Sequence, residues 1–439
     1  MPYLLNGVYL LLLFATLPYW MYKAATTGKY RIGLWGKARG IPPALVSEKP
    51  VVWFHAVSVG EVLLLRPLLE LMRSRRPDLQ IILSITTNAG MDVARSKYPE
   101  IPTFYAPLDF TWAVKGIFNG VRPCLLVLTE LELWPNLLLE AKRRGTPVAV
   151  VNARLSERSH RGYGRFLFLF RKPLAAIQWW GAQNELYAAR IDDLVTRGTR
   201  VTVTGSMKYE GAPTDRLNLK TQQLRRLLGF QSTDTVWLAG STVAPEEEIV
   251  LAVFEQLRQA HPSLRLFLVP RHPERFEAVV EMVAATNIDY VRRSRVDSPR
   301  SHAASITILD TLGELAAAWG LADLGFTGGS LECHRGGQSM IEPAGYGVPV
   351  CFGPAVWNFK DTVEKLLSRN AAIQVRDRRE LLATIRGWLE NAADAHAIGE
   401  RAREFILAQQ GSVANTLSGL ESLLPPLDVQ GREPVVRSA

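Results

Sequence analysis

Short apolar runs and longer stretches of helical periodicity alternate through most of this chain. Residues 51–57 are almost wholly apolar and predict a buried strand, followed by a helix over 61–75. A strand over 79–86, a helix over 89–98, strands over 124–128 and 148–152 and a helix over 134–144 continue the scheme. A short strand is expected over 201–204, and the Gly-Ala-Pro-Thr-Asp run at 211–215 has the composition of a linker. The alternation then restarts, with strands over 236–239 and 264–269 and helices over 246–260 and 274–285. Further strands are expected over 307–309, 324–326 and 348–352. Strands and helices at this spacing build a parallel sheet with helices on both faces. Two successive doubly wound halves are the simplest α/β architecture, with ligands beyond the carboxyl ends of the strands. If the halves face each other, that place is a central cleft. The expected division is 1–22, 23–210, 211–424 and a loose, disordered tail over 425–439.

The first residues break the pattern. No charged residue occurs from Met1 to Met21, and 4–21 is dominated by Leu, Phe, Val, Tyr and Trp. Crossing a bilayer takes about 20 apolar residues, with a lower limit of about 17. Residues 1–22 are therefore expected to form an N-terminal membrane-anchor helix. A signal peptide carries its positive charge ahead of the apolar core. Here Lys23, Lys29, Arg31, Lys37 and Arg39 all follow it. By the positive-inside rule the rest of the protein then lies on the cytoplasmic face of the membrane, with Tyr19, Trp20 and Tyr22 at the interface. A helix lying in the interface is the alternative.

Composition changes this picture little. A length of 439 residues suits two domains, and 47% hydrophobic with 21% charged residues excludes a disordered chain. The net charge of +9 suits a partner bearing phosphates or carboxylates, or an anionic membrane. No zinc-finger, RNP or basic-zipper pattern speaks for nucleic acid. Cys124, Cys333 and Cys351 are dispersed and odd in number, which argues against a disulfide framework or a structural zinc. The seven histidines form no HExxH motif.

Candidate chemistry sits at the predicted strand ends. In WFHAVSVGE at 53–61 a strand ends, Ser58 and Gly60 make a turn, and Glu61 opens a helix. A carboxylate there feels the positive helix end, which favours its ionised form. It can act as a general base or simply complement the helix dipole. Glu130 and Glu132 follow the next apolar strand, where one of them can orient a cation or the substrate, or stand exposed at a helix start beside Pro135. Lys208, after the strand over 201–204, can steady charge on a departing phosphate or be an ordinary surface lysine.

In the second half, the segments at 239–242 and 270–275 each follow a strand and precede a helix, a place suited to anions. Arg271 offers a forked phosphate donor, and Gly328, Gly329, Gly336 and Gly337 permit close backbone approach to a ligand. Glu342 can accept bonds from ribose hydroxyls. Residues 154–172 interleave arginines with His160, Phe166, Phe168 and Phe170, and Trp179 and Trp180 are expected to add aromatic surface. That mixture suits a phosphorylated lipid, or a buried aromatic helix with solvated arginines.

These motifs together resemble the Kdo (3-deoxy-D-manno-oct-2-ulosonic acid) transferase family. The marks are HAVSVGE at 55–61, TTNAG at 86–90, APLD at 106–109, TELELWPN at 129–136, NARLSERS at 152–159 and GSMKY at 205–209. AGST at 239–242, PRHPERF at 270–276, DTLGEL at 310–315 and GGQSMIEPA at 336–344 follow. The resemblance implies a GT-B fold and inverting transfer from CMP-Kdo to a lipid A precursor, lipid IVA, in the inner membrane. It implies no metal and no cofactor beyond the donor. By motif, Glu61 matches the general base, and Glu130 and Lys208 match residues that stabilise the transition state. Pro270, Arg271 and His272, then Leu312, Gly313 and Glu314, then Ser339 and Glu342, match the CMP-binding segments. Where the family usually reads GGHNPLEPA, this chain has Gln338, Ser339, Met340 and Ile341. The rival expectations are a GT-B enzyme using a UDP-sugar, such as a polyprenyl-linked transferase or an epimerase, and an anchored binding protein whose chemistry has lapsed.

Overall fold

The computed structural model describes residues 2–27, 34–45, 48–195, 198–331 and 335–426, with the backbone alone at 19–27, 34 and 169. The chain forms two compact units: Met1–Glu210 with Gln410–Ala439, and Gly211–Gln409.

The first unit is built on seven parallel strands: β1 (Val51–Ala56), β2 (Gln80–Ile85), β3 (Thr103–Tyr105), β4 (Leu125–Thr129), β5 (Val148–Ala153), β6 (Ile177–Ala182) and β7 (Arg200–Val203). They lie in the order β3-β2-β1-β4-β5-β6-β7. Every residue of β1, β4 and β5 is buried, which is why these strands read as near-continuous apolar runs rather than alternating ones. One face of the sheet packs Phe54, Leu83 and Val127 beneath helices, the other Trp53, Ile82 and Leu126. The helix expected over 61–75 is two, Val59–Leu64 and Arg66–Arg75, because Pro67 starts the second one afresh.

The helix Ser412–Glu421 closes the first unit. Val413, Leu417 and Leu420 join the core that holds Leu68, Leu69 and Met72. Ser412 Oγ donates to Glu210 Oε2 at 2.9 Å, and Gly419 lies so close to Trp179 that a Cβ would sit 2.1 Å from the ring. This corrects the expected domain over 211–424, because the apolar stripe of the last helix fits the first sheet. Residues 427–439, expected as a disordered tail, lie outside the described residues.

The N-terminal helix runs Pro2–Thr27. Its inner face is pinned by polar bonds: Asn6 Nδ2 donates to Thr111 Oγ1 at 2.8 Å, and the Tyr9 hydroxyl donates to Asp109 Oδ2 at 3.0 Å. Tyr3, Leu4, Leu11, Leu12 and Phe14 are exposed on it. Among the described residues no helix is long and apolar enough to cross a membrane. One side of the described part of the helix Pro2–Thr27 is committed to the protein. The side chains of Tyr19, Trp20, Tyr22 and Lys23, and residues Lys29 and Arg31, lie outside the described residues. Lys37 is spent inside, donating to the Thr86 carbonyl at 2.6 Å over the Tyr105 ring.

The second unit repeats the plan with β8 (Thr235–Thr242), β9 (Leu264–Pro270), β10 (Tyr290–Arg292), β11 (Ile306–Ile308), β12 (Leu324–Thr327), β13 (Val350–Phe352) and β14 (Ile373–Gln374). The order is β10-β11-β9-β8-β12-β13-β14, all parallel. The strand order turns back between β1 and β4 in the first sheet and between β8 and β12 in the second. Ligands of doubly wound sheets bind at the carboxyl ends beside such reversals.

Candidate active site

Glu61 and Glu130 follow β1 and β4, the two strands that flank the reversal of the first sheet. Ser58 caps the helix Val59–Leu64, its Oγ accepting the N–H of Glu61, the third helical residue. Glu61 Oε2 accepts the Val57 N–H at 2.8 Å and Oε1 accepts the Ser58 hydroxyl at 3.0 Å. Those bonds favour the carboxylate, yet burial outweighs them and, with the charges of Glu130 and Glu132, pushes Glu61 up to about 7. The expectation that the helix end keeps Glu61 ionised is thereby reversed. The result is a group poised between acid and base near neutrality, where a general base works best.

Glu130 has a left-handed backbone, φ +59°, as does Asn152 at the end of the neighbouring β5, φ +53°. Asn152 is fully buried; its Nδ2 lies 3.5 Å from Glu130 Oε1 and its Oδ1 accepts the Met207 N–H at 3.1 Å. Met207 and Tyr209 are buried on either side of Lys208, which is exposed. Glu130 and the Lys208 segment are therefore joined through one side chain. Glu132 is held by Trp134 Nε1 at 3.0 Å, and burial raises its pKa. Asn152 stands in a motif quoted above, but nothing in its spacing reveals that its amide faces two other strand ends.

In the second unit, Pro270 ends β9, and Arg271 follows on the surface, its N–H bonded to the Thr242 carbonyl at 2.9 Å. Arg335 Nη1 donates to His272 Nε2 at 3.1 Å. Leu312 is 77% exposed beside Gly313, whose φ of +88° suits glycine. Glu314 accepts from Arg293 Nη2 at 3.0 Å and from Thr311. Ser339 Oγ accepts the Ile341 N–H at 3.3 Å, and burial raises the pKa of Glu342. The segment at 336–339 is tied back to β12 where Gly337 N–H meets the Gly329 carbonyl at 2.8 Å. Glu246, wholly buried, accepts the N–H groups of Gly329, Ser330, Leu331 and Val243 at 2.6, 2.8, 2.9 and 3.1 Å. It thus shapes the turn after β12. The sequence shows it only as one of three acids opening a helix.

One motif turns out to brace the first unit. Asp109 of APLD accepts the N–H groups of Asn136 at 3.0 Å and Leu137 at 2.9 Å, capping the helix Pro135–Arg144 from outside. Burial pushes Asp109 up to about 6 despite these bonds. In the basic stretch, the helix Glu157–Arg165 buries none of its residues, and Phe166 and Phe168 are exposed, whereas Phe170 packs against Tyr163. Trp179 and Trp180 belong to β6 and are buried, which corrects the expectation that they add aromatic surface. Among the described residues no group of three or more His, Cys, Asp or Glu is placed to hold a metal ion. Cys124 and Cys351 are free, and Cys333 lies outside the described residues.

A family model described as 3-deoxy-D-manno-octulosonic-acid transferase (kdotransferase) matches residues 31–211. The 3-deoxy-D-manno-octulosonic acid transferase of Haemophilus influenzae is 30% identical over 396 residues, 90% of each chain. That of Bordetella pertussis is 30% identical over 438 residues, 95% of this chain and 99% of the relative. That of Chlamydia trachomatis serovar A is 29% identical over 415 residues, 93% and 94% of the two chains. Among solved structures, UDP-GlcNAc 2-epimerase from Neisseria meningitidis bound to UDP-GlcNAc is similar with a TM-score of 0.56 at 12% identity, covering 85% of this chain and 100% of that one. Acinetobacter baumannii MurG is similar at 0.54 and 16% identity, covering 85% and 99%. These two likenesses establish the fold, two Rossmann-like parallel-sheet units of the GT-B type.

Proposed function

We propose, on the premise that this chain belongs to the 3-deoxy-D-manno-octulosonic acid transferase family and is a glycosyltransferase, that it moves Kdo from CMP-Kdo to a lipid A precursor, lipid IVA, by an inverting displacement without a metal ion. The observation that carries this reading is Glu61, a half-buried carboxylate at the switch point of the first sheet with its pKa raised to about 7. In the proposed step its carboxylate takes the proton of an acceptor hydroxyl. The acceptor oxygen attacks the anomeric carbon of Kdo, the bond from that carbon to the phosphate oxygen breaks, and CMP leaves with the electron pair.

Glu130 and Lys208 balance charge in the transition state from the first unit. Pro270, Arg271 and His272, Leu312 to Glu314, and Ser339 with Glu342 hold CMP in the second, where Arg271 supplies a charge-assisted phosphate contact. The exposed basic and aromatic surface at Arg158, Arg165, Phe166, Phe168 and Arg171 fits a phosphorylated, acylated acceptor. The exposed apolar side of the helix Pro2–Thr27 supports attachment in the plane of the inner membrane, with both units on the cytoplasmic side. Calorimetric titration with CMP and with UDP tests the donor: tighter binding of CMP is expected, and a preference for UDP overturns it.

A further inference from the structure

We infer that Asn152 is a positioning residue for the transfer step, holding Glu130 and the Lys208 segment in their working arrangement. The inference rests on the roles proposed for Glu130 and Lys208. Asn152 lies at the end of β5, wholly buried, at a place where four strand ends meet. Its Oδ1 accepts the Met207 N–H at 3.1 Å, next to Lys208, while its Nδ2 points to Glu130 Oε1 at 3.5 Å. Its own carbonyl accepts Gln183 Nε2 at 3.0 Å, and the Gln183 N–H donates to Ala153 at 3.1 Å. On the other side the Glu130 N–H donates to Val151 at 2.9 Å. One residue thus links the ends of β4, β5, β6 and β7.

The chemistry of the position explains why an amide stands there. It must accept from a backbone N–H and donate to a carboxylate at the same time, which neither an ionised carboxylate nor an apolar side chain of this size does. Its left-handed φ of +53° is one that asparagine tolerates better than other residues with a Cβ. The contact to Glu130 is long, and such contacts commonly tighten when substrate binds. Electrostatics completes the chain, because the charge of Glu130 is one of the influences that raise Glu61. Moving Glu130 therefore changes both the transition-state contact and the ionisation of the base.

Steady-state kinetics of the full chain with two variants test this. Asn152→Gly suits the left-handed backbone and removes only the side chain. It is expected to lower kcat about 100-fold, the cost of a displacement of roughly 1 Å, with KM for CMP-Kdo little changed. Asn152→Asp keeps the acceptor for Met207 but sets a second carboxylate against Glu130. Its acid limb of kcat should move to higher pH, a readout that a general loss of folding would leave in place. In a Glu130→Gln background Asn152→Gly should cost clearly less than in the unmodified chain. A wild-type kcat for Asn152→Gly, or an unmoved acid limb for Asn152→Asp in protein that binds CMP normally, overturns the inference. Absence of Kdo transfer by the unmodified chain overturns the parent reading and this one with it. Normal transfer with an indifferent Asn152 overturns this one alone.

Discussion

The Ser58 hydroxyl donates to Glu61 Oε1 at 3.0 Å and accepts the Glu61 N–H in return at 3.4 Å. The first bond favours the ionised carboxylate against the burial that disfavours it. Ser58→Ala removes that support, so the pKa of Glu61 should rise beyond about 7. The acid limb of kcat then shifts to higher pH, and activity recovers in alkaline buffer. A profile of kcat against pH checks this; an unmoved limb would mean that another group titrates.

Glu61→Gln should lower kcat by about 100-fold to 10,000-fold, the usual worth of a general base, and leave CMP affinity intact. Its effect on stability has a definite sign. A carboxyl whose folded pKa is raised binds its proton more tightly in the folded state, so folding loses stability as pH climbs from about 4.5 through about 7. Glutamine lacks that loss. The variant should melt above the wild type at pH 8 and alongside it at pH 4, by thermal unfolding at each pH.

Most strands of both sheets were legible because parallel strands covered on both faces are largely apolar, as β4 and β5 are apart from Thr129 and Asn152. β3, β6, β10 and β14 escaped, as did several helices, Thr111–Val121 and Ser412–Glu421 among them. β3 has only three residues. The helix Thr111–Val121 contains Gly116 and Gly120, residues that weaken a helical pattern but here admit Gly40 and Pro42. β6 reads Ile-Gln-Trp-Trp-Gly-Ala, and its tryptophans passed for surface because nothing local shows what covers them. The placement of Glu61, Glu130 and Lys208 after strand ends was legible, since their motifs follow apolar runs. The direction of the Glu61 shift was not, because it depends on burial and on Glu130 and Glu132, which only folding brings near.

Asp109 is a second carboxylate whose work is structural. It caps the helix Pro135–Arg144 and receives the Tyr9 hydroxyl of the N-terminal helix. Asp109→Ala leaves two buried N–H groups without partners and should destabilise the protein by about 1–3 kcal/mol. Denaturant unfolding measures the loss. A smaller effect would mean that water or the neighbouring Asn136 side chain satisfies those groups.

Arg271 follows β9 on the surface of the second unit. Arg271→Ala should raise KM for CMP-Kdo by about tenfold or more, the loss of one charge-assisted contact, and leave KM for the acceptor unchanged. Arg271→Lys should recover only part of the loss, because lysine cannot present a planar fork. Initial rates with each substrate varied in turn separate the two constants.

The most direct measurement is the mass of the product. Detergent-solubilised protein is incubated with CMP-Kdo, generated in situ, and a tetra-acylated lipid A precursor, and the lipids are weighed by mass spectrometry. Gain of one or more Kdo units, absent with Glu61→Gln, is the expected result. An acceptor of unchanged mass, from protein that binds CMP, would contradict Kdo transfer to this lipid.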